Sequence, residues 1–196
     1  MQKEHYHHGD LKKEMIIKGI QLLNEENYED FSLRKIAAMC GVSHSAPYKH
    51  FKNKDELILA IILEVSNSFK KALEEAVQRY PKEAENQIIE LGKCYVRFMV
   101  ENPDYMRFIF INPSHKNLNL VPVPDYETNP YQIFQKSALG YLEWLKADKK
   151  EQTVDILTMW SLVHGYSMLL VNGNIDIPEN YLEVIDKMLR EKLRFH

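Results

Sequence analysis

Residues 31–56, FSLRKIAAMCGVSHSAPYKHFKNKDE, decide how this chain is read. Ser32 is placed to cap a helix, because its hydroxyl can accept from the free N–H groups of a first turn. Phe31 just before it and Ile36 one turn on are spaced as a hydrophobic staple. Leu33, Ile36, Ala37 and Cys40 recur at helical spacing. Gly41 follows where the chain must turn sharply, and glycine takes a positive φ at little steric cost. Ser43 can cap a second short helix, and Asn53 with Glu56 makes the capping box of a third. Two short helices around a glycine turn have the spacing of a helix-turn-helix, whose second helix enters the DNA major groove.

Charge points the same way. No acid occurs from Phe31 to Lys54, while Arg34, Lys35, Lys49, Lys52 and Lys54 are all basic. Glu25, Glu26, Glu29 and Asp30 precede this window, Asp55 and Glu56 follow it, and the chain carries a formal charge of −3. A local cationic window in a slightly acidic chain suits phosphate contact without general stickiness. A solvated basic face on a core helical hairpin would explain the charges alone. It would not explain the caps, the turn glycine and the aromatic pair Tyr48 and Phe51 together.

Each side chain then has an expected role. His44 and Ser45 begin the second helix, with Ser43 at its cap, in the part that meets base edges. Tyr48, Lys49, His50 and Lys54 are expected on phosphates, which fix register and carry no sequence information. Lys54 also stands at the start of the third helix, where the dipole favours a phosphate. Ser32 and Arg34 can add contacts to the DNA backbone. Phe51 is expected in the core.

The segment GVSHSAPYKHFKNKDEL, 41–57, resembles the DNA-binding signature of the TetR family of repressors. Gly41, Val42, Ser43, Tyr48, His50, Phe51, Lys54 and Leu57 match it; Pro47 departs from it, since many members have Leu or Ile there. The resemblance is specific over about the first 60 residues and looser beyond. YHHGDL at 6–11 and ENPDYMRFIF at 101–110 resemble segments of one branch, and Trp160, His164 and Gly165 resemble the Trp-His-Gly type of C-terminal domain. The family implies a homodimeric repressor on a palindromic double-stranded DNA operator. It implies release by a small-molecule effector and a long helix coupling head to effector domain. The identity of that effector is unknown.

The rest of the chain bounds these expectations. Its 196 residues suit one large or two small domains, and a 45% hydrophobic share supports a core. Cys40 and Cys94 form no metal or redox motif, so a reducing, cytoplasmic setting is expected. The N-terminus lacks a signal peptide's apolar core, and the longest apolar run, 57–63, is too short to span a bilayer, so no membrane partner is expected.

The 3.6-residue patterning predicts an all-α protein of about nine helices. The resemblance implies that these form an N-terminal three-helix helix-turn-helix head joined by a long helix to a helical ligand-binding and dimerisation domain. The expected division is 1–56 for the DNA-binding head and 57–196 for the effector and dimerisation domain. Asp10 can cap a helix running to about Asn24, with Leu11, Met15, Ile16, Ile20 and Leu23 on one face. The third helix of the head runs from Asn53 to about Tyr80, before Pro81. Further helices are expected over 83–101, 105–111, 129–146, 150–171 and 178–193, and 111–130, with four prolines, reads as irregular.

On the final helix the apolar residues Tyr181, Leu182, Val184, Ile185, Met188, Leu189 and Leu193 cover a wide arc. That arc exceeds what a one-sided surface helix needs, which points to a homodimer through the last two helices; deep burial within one chain is the alternative. Candidates for an effector pocket are Tyr95, Phe98, Met99, Phe108, Phe110, Trp144, Trp160 and His164. Plain core is the competing role for each, and for His164 a hydrogen-bonded core histidine.

His5, His7 and His8 lack the spacing of a metal site, so no metal and no cofactor are expected. No nucleophile elbow, P-loop or dinucleotide fingerprint occurs, so no catalytic residue is assigned and the chain is not expected to be an enzyme. The alternatives are a helical small-molecule-binding or scaffolding protein without DNA binding, and a metal-dependent enzyme built on those histidines.

Overall fold

The computed structural model describes residues 8–26, 28–111, 130–176 and 180–194. Among them the secondary structure is entirely helical, with eight α-helices: α1 His8–Glu25, α2 Leu33–Met39, α3 Lys54–Arg79, α4 Ala84–Glu101, α5 Pro103–Met106, α6 Pro130–Leu145, α7 Gln152–Val171 and α8 Tyr181–Lys192. A 3-10 turn, Pro47–Lys49, lies between α2 and α3, and a π-helical turn, Arg107–Ile111, follows α5. The described residues form two compact units. One holds those up to Val65 together with Arg107–Ile111; the other holds 66–106 and those from Pro130 onward.

The first unit is built on α1, α2 and the start of α3. Met15, Ile20, Leu23, Phe31, Ile36, Leu57 and Ile61 are fully buried there. A methyl group at Gly19 would lie 2.5 Å from Ile61 Cδ1, so glycine is what lets α1 and α3 approach at this level. Ser32 caps α2 through a hydrogen bond from Lys35 N. Gly41 ends it at φ +65°: its N–H reaches Ala38 O and Val42 N–H reaches Ala37 O, a Schellman pair. Asn53 Oδ1 accepts from Glu56 N at 2.9 Å, and the Glu56 carboxylate reaches back to Lys52 N–H.

One sequence expectation is corrected here. Ser43 does not cap an α-helix: residues 43–46 form a turn that leads into the 3-10 segment. An α-helix from Ser43 would need its first i−4 bond from residue 47, and Pro47 has no N–H. The chain takes tighter bonds instead, Ala46 N to Ser43 O and His50 N to Pro47 O, both at 2.9 Å. Other boundaries shift slightly. Helix α1 begins at His8, before Asp10; α5 begins at Pro103 and continues into the π turn; α8 begins after Asn180, whose side chain caps Leu182 N.

The second unit is organised around α4, which packs against α6, α7 and α8. Val96, Met99, Met106, Leu142, Met159, Ile185 and Leu189 are among its most buried residues. Truncating one such side chain to alanine typically costs about 2–5 kcal/mol. At Gly92 a methyl would lie 2.8 Å from Leu189 Cδ1 and 3.3 Å from Val163 Cγ1, so α4 meets α7 and α8 across a glycine. Polar ties fix the same helices: Lys93 Nζ to Asp186 at 3.1 Å, Arg190 Nε to Asp186 at 2.8 Å, and Tyr141 Oη to Leu193 O at 2.6 Å. Gly173, at φ +65°, ends α7 with a second Schellman pair to Leu169 and Leu170.

Helix α7 is, by length and composition alone, apolar enough to cross a membrane. In the fold its Ile156, Met159, Val163 and Tyr166 are buried in the protein core.

Candidate nucleic-acid interface and ligand cavity

The acid-free segment presents its polar side chains outward over an apolar floor. Pro47 and Phe51 are buried beneath it, while Ser43, His44, Ser45 and Lys49 have solvent access and Tyr48 is 54% exposed. The Ser43 and Ser45 hydroxyls lie 3.2 Å apart. Ser32 is half-buried and Arg34 exposed. His50 is half-buried, and its Nε2 is shielded from solvent with no hydrogen-bond partner among the described residues. Leaving such a nitrogen unpaired costs about 1–3 kcal/mol.

The cations divide into two groups. Among the described residues, Arg34, Lys49 and Lys52 are exposed and make no ion pair. Lys35 is paired with Glu26 at 2.7 Å. Lys54 is turned inward: its ammonium donates to Tyr28 O at 3.0 Å and lies 4.0 Å from the centre of the Tyr28 ring. The Tyr28 hydroxyl in turn donates to Asp55, and that bond raises its pKa above the ordinary tyrosine value. The Lys54 ammonium, expected on a phosphate, is thus engaged in an internal tie in this conformation. Sequence reasoning passed over Tyr28, since nothing in its own segment signals a partner so far along the chain. It also passed over Lys12, whose ammonium stands 5.7 Å from the centre of the Phe51 ring.

In the second unit the structure brings together only part of the expected effector set. A small cavity of about 30 Å³ is lined by Phe69, Leu73, Ile88, Leu91, Gly92, Tyr95, Pro130, Phe134, Met159, Trp160, Val163, Leu189 and Leu193. Tyr95 and Trp160 thus stand in its wall, their rings 6.0 Å apart. His164 Nδ1 and Tyr95 Oη are hydrogen-bonded at 2.9 Å. Burial pushes the tyrosine pKa up and the His164 pKa down, so the imidazole is kept neutral.

Phe98 and Met99 pack outside this wall, Phe98 against Phe69 and Met99 fully buried in the core. Trp144 is 55% exposed, stacked on Tyr141 at the end of α6, and takes no part in the cavity. Phe108 is buried and Phe110 exposed, both in the π turn that belongs to the first unit. Gly92, which sequence reasoning did not single out, does line the cavity. Its signal was a small residue inside an otherwise bulky apolar face.

Among the described residues, no group of three His, Cys, Asp or Glu side chains could hold a metal ion. His5, His7 and the irregular stretch 112–129 lie outside the described residues.

Known proteins resemble this chain in sequence or in fold. The chain is 36% identical over 191 residues to the "Uncharacterized HTH-type transcriptional regulator YerO" of Bacillus subtilis, covering 90% of this chain and 63% of that protein. It therefore spans somewhat less than two thirds of the length of that curated relative. Among solved structures, a tetR-family regulatory protein from Rhodococcus RHA1 superposes with a TM-score of 0.69 at 19% identity, covering 94% of this chain and 95% of that one. The TetR-family regulator PfmR from Thermus thermophilus gives 0.65 at 16% identity, with 97% of each chain covered. Both show a shared fold. Residues 88–191 match the family described as "Tetracyclin repressor-like, C-terminal domain", and 18–61 match "Bacterial regulatory proteins, tetR family". By those matches, at both the helix-turn-helix head and the C-terminal helices, the chain belongs to the TetR family of bacterial regulatory proteins.

Proposed function

We propose that this protein is a cytoplasmic transcription regulator without enzymatic activity. It acts as a homodimeric repressor on a palindromic operator in double-stranded DNA and is released by a small-molecule effector. The reading rests on one observation above the rest: an acid-free segment, fixed over buried Pro47 and Phe51, turns His44, Ser45, Tyr48 and Lys49 to solvent together.

In this reading His44 and Ser45, flanked by Ser43, meet base edges from the turn that precedes the 3-10 segment. Tyr48, Lys49, His50, Arg34 and Ser32 meet phosphates; the His50 Nε2, shielded from solvent and without a partner among the described residues, reaches one only if its ring turns outward. Lys54 acts one step back, by holding the start of α3 against Tyr28. A gel shift on the protein's own upstream DNA across a salt series tests this. A specific complex that weakens steeply with salt is expected; a complex indifferent to sequence, or none, defeats the reading.

Dimerisation through α7 and α8 is supported by what α7 leaves uncovered. Val154 and Leu157 are each 58% exposed, and Leu169 is exposed on the same helix. A Cβ added at Gly165 would meet nothing within 4 Å among the described residues, so the position is open to a second helix. Val154, Leu157, Ser161, Gly165 and Leu169 recur every three or four residues, as one contact stripe requires. Sedimentation equilibrium tests it: the protein should run as a dimer, and Leu157→Glu as a folded monomer.

A further inference from the structure

The cavity in the second unit is notable for what its wall lacks. Among the described residues no Lys, Arg, His, Asp or Glu lines it; the polar side-chain groups they contribute are the Tyr95 hydroxyl and the Trp160 indole N–H. The hydroxyl is already hydrogen-bonded to His164 at 2.9 Å. An ion placed against these residues would lose its hydration without gaining a counter-charge from them, and a buried amide or hydroxyl would face mostly carbon. The wall is instead rich in rings: Trp160 packs edge-on to Phe134 with centroids 5.4 Å apart, and outside the lining Tyr131 stands 5.5 Å from Trp160.

The free space of about 30 Å³ is on the scale of a water molecule or two. A larger guest must displace side chains. Phe134 is only half-buried and Tyr131 is exposed, both on the first turns of α6, so these two have room to move. Apolar cavities of this kind stay dry and accept hydrocarbon guests.

We propose that this cavity takes an uncharged ligand whose buried part is hydrocarbon, on the scale of one aromatic ring, seated against Trp160. The inference rests on reading the C-terminal unit as an effector domain, and it is tested without DNA so that the two can fail separately. Trp144 lies outside the cavity and is one of only two tryptophans, so Trp144→Phe leaves Trp160 as the sole indole reporter.

That variant is titrated at pH 7 with toluene, benzoate and benzylammonium, three probes of one shape and three charges. A saturable change in Trp160 emission is expected with toluene, with both ions binding at least about tenfold more weakly. Equal or tighter binding of either ion, or no saturable response to toluene, overturns the proposal. Phe134→Ala in the same background enlarges the space next to Trp160 and should tighten toluene binding. Unchanged or weaker binding there would place the ligand elsewhere and equally overturn it. A gel shift on the same preparation reports separately on the regulator reading.

Discussion

The Lys54 ammonium is held by Tyr28 twice, through a 3.0 Å hydrogen bond to its carbonyl and a 4.0 Å approach to its ring. Asp55, the next residue, takes the Tyr28 hydroxyl. One tyrosine from the loop between α1 and α2 thus grips both residues that open α3. Asp55 and Glu56 occupy the first turn of that helix, where their charge favours its dipole.

Replacing Lys54 should therefore act on the head's stability rather than on its electrostatics toward DNA. Lys54→Gln is expected to cost about 1–2 kcal/mol in thermal unfolding, from a cation–π contact and a charge-assisted hydrogen bond. Its salt slope for DNA should stay that of the parent. Lys49→Gln should leave stability unchanged and lower the slope by about 1. A slope reduced by Lys54→Gln would restore a direct phosphate contact.

Lys146 adopts φ +56°, the only non-glycine at positive φ among the described residues. It occupies the position after α6 that Gly41 and Gly173 occupy after α2 and α7, with Ala147 N–H on Leu142 O. The left-handed conformation costs a residue with a Cβ about 1–2 kcal/mol. Lys146→Gly should raise stability by about 0.5–1 kcal/mol, part of the gain being offset by the freer unfolded chain. Urea unfolding with an unchanged m-value would measure it.

His164 is held neutral by burial, with its pKa below the usual histidine value. The unfolded chain binds that proton more readily than the folded one, so the contribution runs in one direction. Stability is full above the unfolded histidine pKa of about 6.5 and falls as pH drops through the folded value. Melting temperatures taken from pH 8 to pH 5 should decline in this range, and His164→Gln should flatten the part due to this site. No change in the pH profile on that substitution would remove the assignment.

Cys94 is buried and its thiol donates to Ala72 O at 3.2 Å. Burial pushes its pKa up to about 11, so almost no thiolate exists near neutral pH. Alkylation by iodoacetamide at pH 8 should label Cys94 far more slowly than the denatured protein, and global unfolding should abolish the difference. Rapid labelling in the folded protein would contradict the packing of α3 against α4 at this level.

Much of the fold was written in local pattern. Ser32, Gly41, Asn53 and Glu56 announce the ends of α2 and the start of α3, because capping needs only neighbours a few positions away. The 3.6-residue recurrence of apolar side chains placed every long helix to within a few residues. Pro47 was equally local, yet its missing N–H shortens the second helix to a 3-10 turn, which composition around it does not foretell.

What the chain could not disclose by itself is which distant group each side chain meets. Periodicity says that Trp160 and His164 share a face; only packing sets Tyr95 against both and leaves Trp144 in solvent. Basic residues could be counted, but the pairing of Lys35 with Glu26 and of Lys54 with Tyr28 depends on how loops close in three dimensions. Helical spacing is fixed by the geometry of the backbone and can be read along one strand of text. The partner across a core is fixed by close packing among segments far apart in sequence, and that is settled only when the chain is folded.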